Sequence, residues 1–162
     1  MVSKQNWKWG YFCFFLLACL FVQIMGGLFT ASTDSDRYPT LKKASWTPPP
    51  WVFGPVWTVL YIMIAIAGWL VYVSPFSKLR NKALILYWIQ LGIKFLWSYL
   101  FFYLKSPALG FLDILLLLVL TGCAVFVFWR ISRAASLLFI PYLIWTLSAA
   151  TLNGATWILN KG

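Results

Sequence analysis

Tyr38–Tyr61 reads YPTLKKASWTPPPWVFGPVWTVLY, and how it is read decides the fold. It begins polar and basic, passes through three consecutive prolines at Pro48–Pro50, and continues without a charge through Trp51, Phe53, Trp57 and Tyr61. The prolines donate no backbone hydrogen bond and hold the chain extended. They also suit a helix start directly behind them, because first-turn N–H groups have no intrahelical acceptor. The stretch therefore predicts a stiff aromatic lid, carrying Trp46, Pro48, Pro49 and Trp51, that feeds straight into an apolar helix. Tryptophan and tyrosine favour the headgroup zone of any membrane, so interfacial anchoring explains the same residues as well.

Outward from this stretch the chain is too apolar for a water-facing surface. Apolar residues are 62% of it and charged residues 10%, which a soluble domain of this size does not need. Apolar runs at about 11–31, 51–73, 83–104, 108–129 and 135–159 each hold on the order of twenty residues, enough to cross about 30 Å of hydrocarbon. The run Tyr11–Ala31 is too long for a signal-peptide core and no clean cleavage site follows it. Period-two alternation is absent, which argues against a β-barrel. The expectation is an all-α membrane protein: one domain over residues 1–162, a bundle of five transmembrane helices, with a long ordered loop at 32–50 joining the first two.

Charge and composition exclude several function classes. The net charge is +10, but the basic residues sit in short groups between apolar runs, where anionic lipid attracts them, rather than on one face suited to nucleic acid. Lys4, Lys8, Lys78, Arg80, Lys82, Arg130 and Arg133 fall on one side and Arg37, Lys42, Lys43, Lys105 and Lys161 on the other. The positive-inside rule then places the N-terminus in the cytoplasm and the C-terminus outside the cell membrane. There is no histidine, which removes the commonest metal ligand and the usual general base. Cys13, Cys19 and Cys123 lack metal-site spacing and read as small buried hydrophobes. No metal site and no cofactor are expected.

Polar residues inside the spans need a reason. Gln90 and Lys94 lie one turn apart on one face of the third helix. A lysine near mid-span costs several kcal/mol unless it is paired or reaches water. Asp113 is the sole acid outside the first loop. The turn at Lys105–Pro107 makes the third and fourth helices antiparallel neighbours, and at about 1.5 Å per residue Asp113 lies roughly 10 Å and Lys94 roughly 18 Å from it. Snorkelling spans that difference. Two readings stand level: a Lys94–Asp113 pair, direct or through water, and contact of Lys94 with an acidic group on a ligand.

Two aromatic stripes complete the pattern. In IPYLIWTLSAATLNGATW (Ile140–Trp157), Trp145, Ala149 and Asn153 share a helix face, with Tyr142 beside it. Trp57, Tyr61 and Ala65 form a similar stripe on the second helix. Ser148, Ala149, Ala150 and Gly154 admit either a neighbouring helix, which also suggests a homodimer, or a flat ligand beside Trp145. Facing aromatic stripes suit a planar hydrophobic guest, although ordinary core packing uses the same residues.

With SWTPPPWVFGPVW and Tyr61, QLGIKFLWSYLFF, and PYLIW followed by Ala149 and Leu152-Asn153, the chain resembles the TspO/MBR family: the translocator, tryptophan-rich sensory or peripheral-type benzodiazepine receptor proteins. The resemblance covers nearly the whole chain. It implies five helices around a pocket opening toward the first loop, with tetrapyrroles such as protoporphyrin IX, isoquinoline-type drugs and, in animal members, cholesterol as guests. Trp57 and Trp145 correspond to the family's pocket tryptophans. Gln90 sits where many members carry Gln or Asn, and Tyr61, Trp97, Ala149 and Asn153 match family positions. The chain departs from the family at Lys94, where Asn is usual. It lacks the animal cholesterol motif after Leu152-Asn153, and Leu100–Tyr103–Lys105 fits the loose cholesterol pattern only formally. Trp51 has no assigned family position.

The leading expectation is a membrane receptor or sensor holding a tetrapyrrole through Trp57, Tyr61, Gln90, Lys94, Trp97, Tyr142, Trp145, Ala149 and Asn153. The alternative implied by bacterial relatives is light- and oxygen-dependent porphyrin breakdown, with Trp57 and Trp145 as the residues taking part and porphyrin as substrate. Transport of a tetrapyrrole or sterol ranks third, because five helices without an internal repeat do not resemble an alternating-access carrier.

Overall fold

A computed structural model describes residues 4–34 and 40–160. Among the described residues there are five long helices and no strand: α1 (Lys4–Asp34), α2 (Pro50–Val73), α3 (Lys78–Ser98), α4 (Pro107–Trp129) and α5 (Arg133–Leu159). A π-helical turn, Tyr99–Tyr103, extends α3. All five helices are long and apolar enough to cross a membrane. On α1, Leu17, Phe21, Ile24 and Leu28 recur on one face and are all more than half exposed. That is the outward apolar stripe expected of a helix whose surroundings are lipid.

Helix limits differ from the hydropathy reading for local reasons. Residues 32–34 continue α1 instead of opening the loop, so the described part of the connection is 40–49; Arg37 and Asp36 lie outside the described residues. α3 begins at Lys78 rather than near Ala83, because Ser77 caps it by accepting from the Arg80 N–H at 3.0 Å. The Arg80 guanidinium also reaches back to the Tyr72 and Ser74 carbonyls that end α2, at 3.4 and 3.2 Å. α5 begins at Arg133 for the same reason, with Ser132 as its cap. A basic first turn looks like a loop on a hydropathy scale, yet a serine cap satisfies the free N–H groups and carries the helix back through it.

The helix interfaces close a ring in the order α1–α2–α5–α4–α3 and back to α1, with α4 against α5 the most extensive. The tightest corner lies between α3 and α4. The π turn closes with Leu104 N–H donating to the Tyr99 carbonyl at 3.0 Å, and Lys105 takes the left-handed conformation at φ 52°. Ser106 then caps α4 and Pro107 opens it. One left-handed residue followed by a proline is an efficient helix stop and restart.

The ring is filled differently at its two ends. At the end holding the α1 N-terminus, Phe15, Tyr87, Phe128 and Phe139 interlock and are almost wholly buried. Gly68 admits them: a Cβ there would stand 2.6 Å from the Tyr87 ring and 2.8 Å from Phe15. Cys19 belongs to this core, 3.3 Å from the Tyr87 hydroxyl. Cys13 and Cys123 do not; they are exposed on the outer face, where lipid is apolar enough that a thiol needs no protein cover. The small residues of α5 are also used within the chain. A Cβ at Gly154 would meet Phe111 of α4 at 2.9 Å, so close approach of α4 and α5 accounts for it without a second copy.

Candidate functional site

At the other end, beneath the first loop, the ring holds a cavity of about 190 Å³. α2 supplies Pro50, Phe53 and Trp57, and α5 supplies Trp145, Ala149, Leu152, Asn153 and Thr156. Trp97, Phe101 and Phe102 close it from α3 and the π turn, with Ile114 from α4 and Thr30 from α1. The π turn bears directly on this wall. It turns two consecutive phenylalanines inward, Phe101 stacking on Trp97 at 5.3 Å and Phe102 meeting it edge-on at 5.7 Å. Such turns recur at functional sites because they re-aim side chains that a regular helix would alternate.

A second cavity of about 440 Å³ lies where α1, α2 and α3 meet, lined by Gln23, Gly27, Gly54, Tyr61, Lys94 and Ser98 among others. Both cavities are lined by Thr30, Pro50, Phe53, Trp57 and Trp97. The partition between them is thus largely two indole rings. Trp57 also meets Trp145 at 6.4 Å and 87°, and Trp145 meets Phe53 at 5.9 Å. These are edge-to-face geometries, the favoured arrangement of aromatic quadrupoles. The Trp145 Nε1 donor is buried without a hydrogen-bond partner, whereas Trp97 Nε1 donates to Asn153 Oδ1 at 3.2 Å. Asn153 in turn donates to the Ala149 carbonyl at 2.8 Å, so the Trp97 ring is fixed from α5.

The residues singled out in the sequence separate into groups. Trp57, Trp97, Trp145, Ala149 and Asn153 meet around the first cavity, and Tyr61 and Lys94 line the second. Gln90 and Tyr142 line neither. They lie deeper, where Tyr142 donates to Gln90 Oε1 at 3.0 Å and both are fully buried. No direct Lys94–Asp113 bridge forms. The Lys94 ammonium instead sits 4.1 Å from the Trp57 ring centre and 4.6 Å from that of Trp97. Trp97 stands three residues on along α3 and Trp57 reaches in from α2, and their indole faces attract the cation. Asp113 is buried with Oδ2 unpartnered.

The lid is built differently from the expectation. Trp46 and Trp51 are 62% and 75% exposed and line neither cavity. α2 starts at Pro50, and at 3.6 residues per turn the inward stripe is 50, 53, 57 and 61, which turns Trp51 outward. The loop instead contributes Lys43 and Thr47. It is fastened by Asn160, whose Oδ1 accepts from the Lys42 N–H at 3.0 Å and whose Nδ2 donates to the Lys42 carbonyl at 2.9 Å. Sequence reading missed Asn160, Phe53, Phe101 and Phe102. The phenylalanines lie within quoted motifs, but only the helix register and the π turn reveal that they face inward.

Comparison with known proteins agrees with this architecture. The model of the TspO/MBR family matches residues 15–158. The chain is 41% identical to tryptophan-rich protein TspO of Chlorobaculum tepidum over 143 residues, covering 88% of this chain and 90% of that one. It is 40% identical to tryptophan-rich protein TspO of Archaeoglobus fulgidus, covering 90% and 94%. It is 31% identical to the human translocator protein, covering 85% and 83%. The match spans all five helices, both tryptophan stripes and the loop above them: the chain belongs to the TspO/MBR family.

Proposed function

We propose that this protein is a membrane receptor or sensor for a planar hydrophobic ligand, of which a tetrapyrrole such as protoporphyrin IX is the best candidate. The observation that carries the reading is that Trp57 and Trp145, from separate helices, meet edge to face at 6.4 Å and together form part of the wall of a cavity. The names translocator protein and tryptophan-rich sensory protein among its relatives point the same way. Sites for drug-sized ligands commonly span about 300–1,000 Å³ and are mainly apolar with a few placed polar groups. The 190 Å³ cavity alone falls short and the 440 Å³ one does not. The two share Trp57 and Trp97 in their walls, so a macrocycle in the larger one that also reaches Trp145 displaces that partition and stacks on it. The basic residues at the α1 N-terminus, the α2–α3 turn and the α4–α5 turn support a cytoplasmic N-terminus, which puts the loop and the cavity mouth on the opposite face.

The test is titration of protoporphyrin IX into the purified protein in nanodiscs, followed by tryptophan fluorescence quenching. Replacing Trp57 or Trp145 by Ala should weaken binding by about tenfold or more, since one aromatic stack is worth roughly 1–3 kcal/mol. Replacing exposed Trp51 should leave affinity unchanged. Equal effects at all three positions would sink the proposal.

A further inference from the structure

The Lys94 ammonium is 4% exposed, faces the side cavity and, among the described residues, makes no hydrogen bond or ion pair. Two indole rings attract it from one side, but π faces accept none of its three N–H donors in the way an oxygen does. The acid that acts on it electrostatically, Asp113, stands on α4 beyond bridging distance and lines neither cavity. The cation therefore lines the space, and the acid that acts on it does not. Room in front is built in, because a Cβ added at Gly27 or Gly54, on opposite walls, would meet nothing within 4 Å.

We infer that Lys94 is an anion-binding group that selects guests carrying a carboxylate on the edge of a flat aromatic body. This rests on the proposed ligand-binding function and names the ligand chemistry at one end of the site. A carboxylate fits better than a phosphate. Among the described residues Lys94 is the one cation lining this cavity, and the amide donor of Gln23, Nε2, is already committed to Thr58 at 2.7 Å. A phosphate, with three terminal oxygens on one centre, would be left with most of its acceptors unmatched. The flat aromatic walls distinguish a ring acid from a fatty acid.

The experiment compares protoporphyrin IX with its dimethyl ester, which has the same ring without the charge. Nanodiscs of zwitterionic lipid hold the wild type, Lys94→Gln and Asp113→Asn proteins. The wild type should favour the acid over the ester by about tenfold or more, as close charge pairs in dry surroundings do. Lys94→Gln should erase that preference by weakening the acid alone. Asp113→Asn, which removes the competing charge that acts on Lys94, should strengthen acid binding several-fold and leave the ester unchanged. Equal affinities of wild type for acid and ester overturn the inference while leaving the ligand-binding function standing. Failure of both to bind overturns the function itself. Displacement of porphyrin by palmitate as effectively as by the ring acid would assign Lys94 to a lipid carboxylate and overturn the ring-acid proposal. Should Lys94→Gln fail to fold, the wild-type acid–ester ratio and the Asp113→Asn shift still decide.

Discussion

The two ends of the bundle use the same residue types to opposite effect. At the α1 N-terminal end, Phe15, Tyr87, Phe128 and Phe139 interlock inside the ring with touching centres 4.9–6.3 Å apart, and the space at that end, a groove of about 630 Å³ between α1, α2 and α3, lies outside them. Beneath the loop, Phe53, Trp57, Trp97 and Trp145 stand at comparable spacings but surround a cavity. Ring spacing does not separate the two. The small residues do. At the packed end Gly68 is a socket filled by Tyr87 and Phe15, and Ala65, Ala83 and Ala135 are fully buried against the same cluster. At the open end Gly27 and Gly54 face empty space and Ala149 lines the cavity wall. A small residue opposite a ring means packing where the ring enters it and a binding cavity where none does.

The strongest way to break this contrast is to fill a socket. Gly68→Leu would place atoms where Tyr87 and Phe15 already lie; Phe15 borders a groove of about 630 Å³ on the outer side, but the Tyr87 ring is fully buried and has no space to retreat. Overpacking usually costs about 1–3 kcal/mol, and this substitution should reach or exceed the upper figure because two rings are displaced at once. Thermal unfolding in detergent or nanodiscs should show a large fall in midpoint. A stable Gly68→Leu protein would mean that the packed end yields, and the distinction between the two ends would be lost.

The matching substitution at the open end should behave in the reverse way. Gly54→Leu adds a side chain toward the side cavity, and leucine is the better helix former by roughly 0.5–1 kcal/mol. Its unfolding midpoint should hold or rise slightly, while porphyrin affinity falls several-fold as the cavity shrinks. The pair Gly68→Leu and Gly54→Leu then separates stability from binding at two glycines of one helix. Loss of stability with unchanged affinity at Gly54 would contradict the assignment of that space to a ligand.

How much of this was legible beforehand depended on range. The five spans were visible because lipid imposes a uniform demand for about twenty apolar residues, and Trp57 and Trp145 were found because their stripes repeat within one helix. Helix starts at Ser77 and Ser132 were read several residues late, since capping is a hydrogen-bond property that hydropathy does not register. The sequence read Trp46 and Trp51 as a lid or as interfacial anchors without showing which way they face. Within α2, Phe53 stands one turn before Trp57 and shares its inward face, while Trp51 falls off that stripe. The direction taken by Lys94 followed from the placement of two rings on different helices, which no local spacing encodes. The link from Lys42 to Asn160 joins residues 118 apart in sequence and left no trace in either neighbourhood.

That last link gives the finest test of the contrast, because it asks whether the cavity has a working cover. The interlocked rings at the packed end leave no inner cavity to cover, whereas the open end has a loop tied at Lys42 by an asparagine that also anchors itself to the Thr156 carbonyl at 2.7 Å. Asn160→Ala removes both hydrogen bonds to the Lys42 backbone. Each is exposed, so the loss should amount to about 1 kcal/mol at most. If the loop is a cover, that small loss appears in ligand kinetics: stopped-flow measurement should show dissociation and association of porphyrin accelerated by similar factors, with affinity and unfolding midpoint nearly unchanged. A loop that merely joins two helices would leave both rates where they were. Because Trp46 and Trp51 face outward and Thr47 and Lys43 face in, the rates should respond to the Asn160 tether more than to either exposed tryptophan.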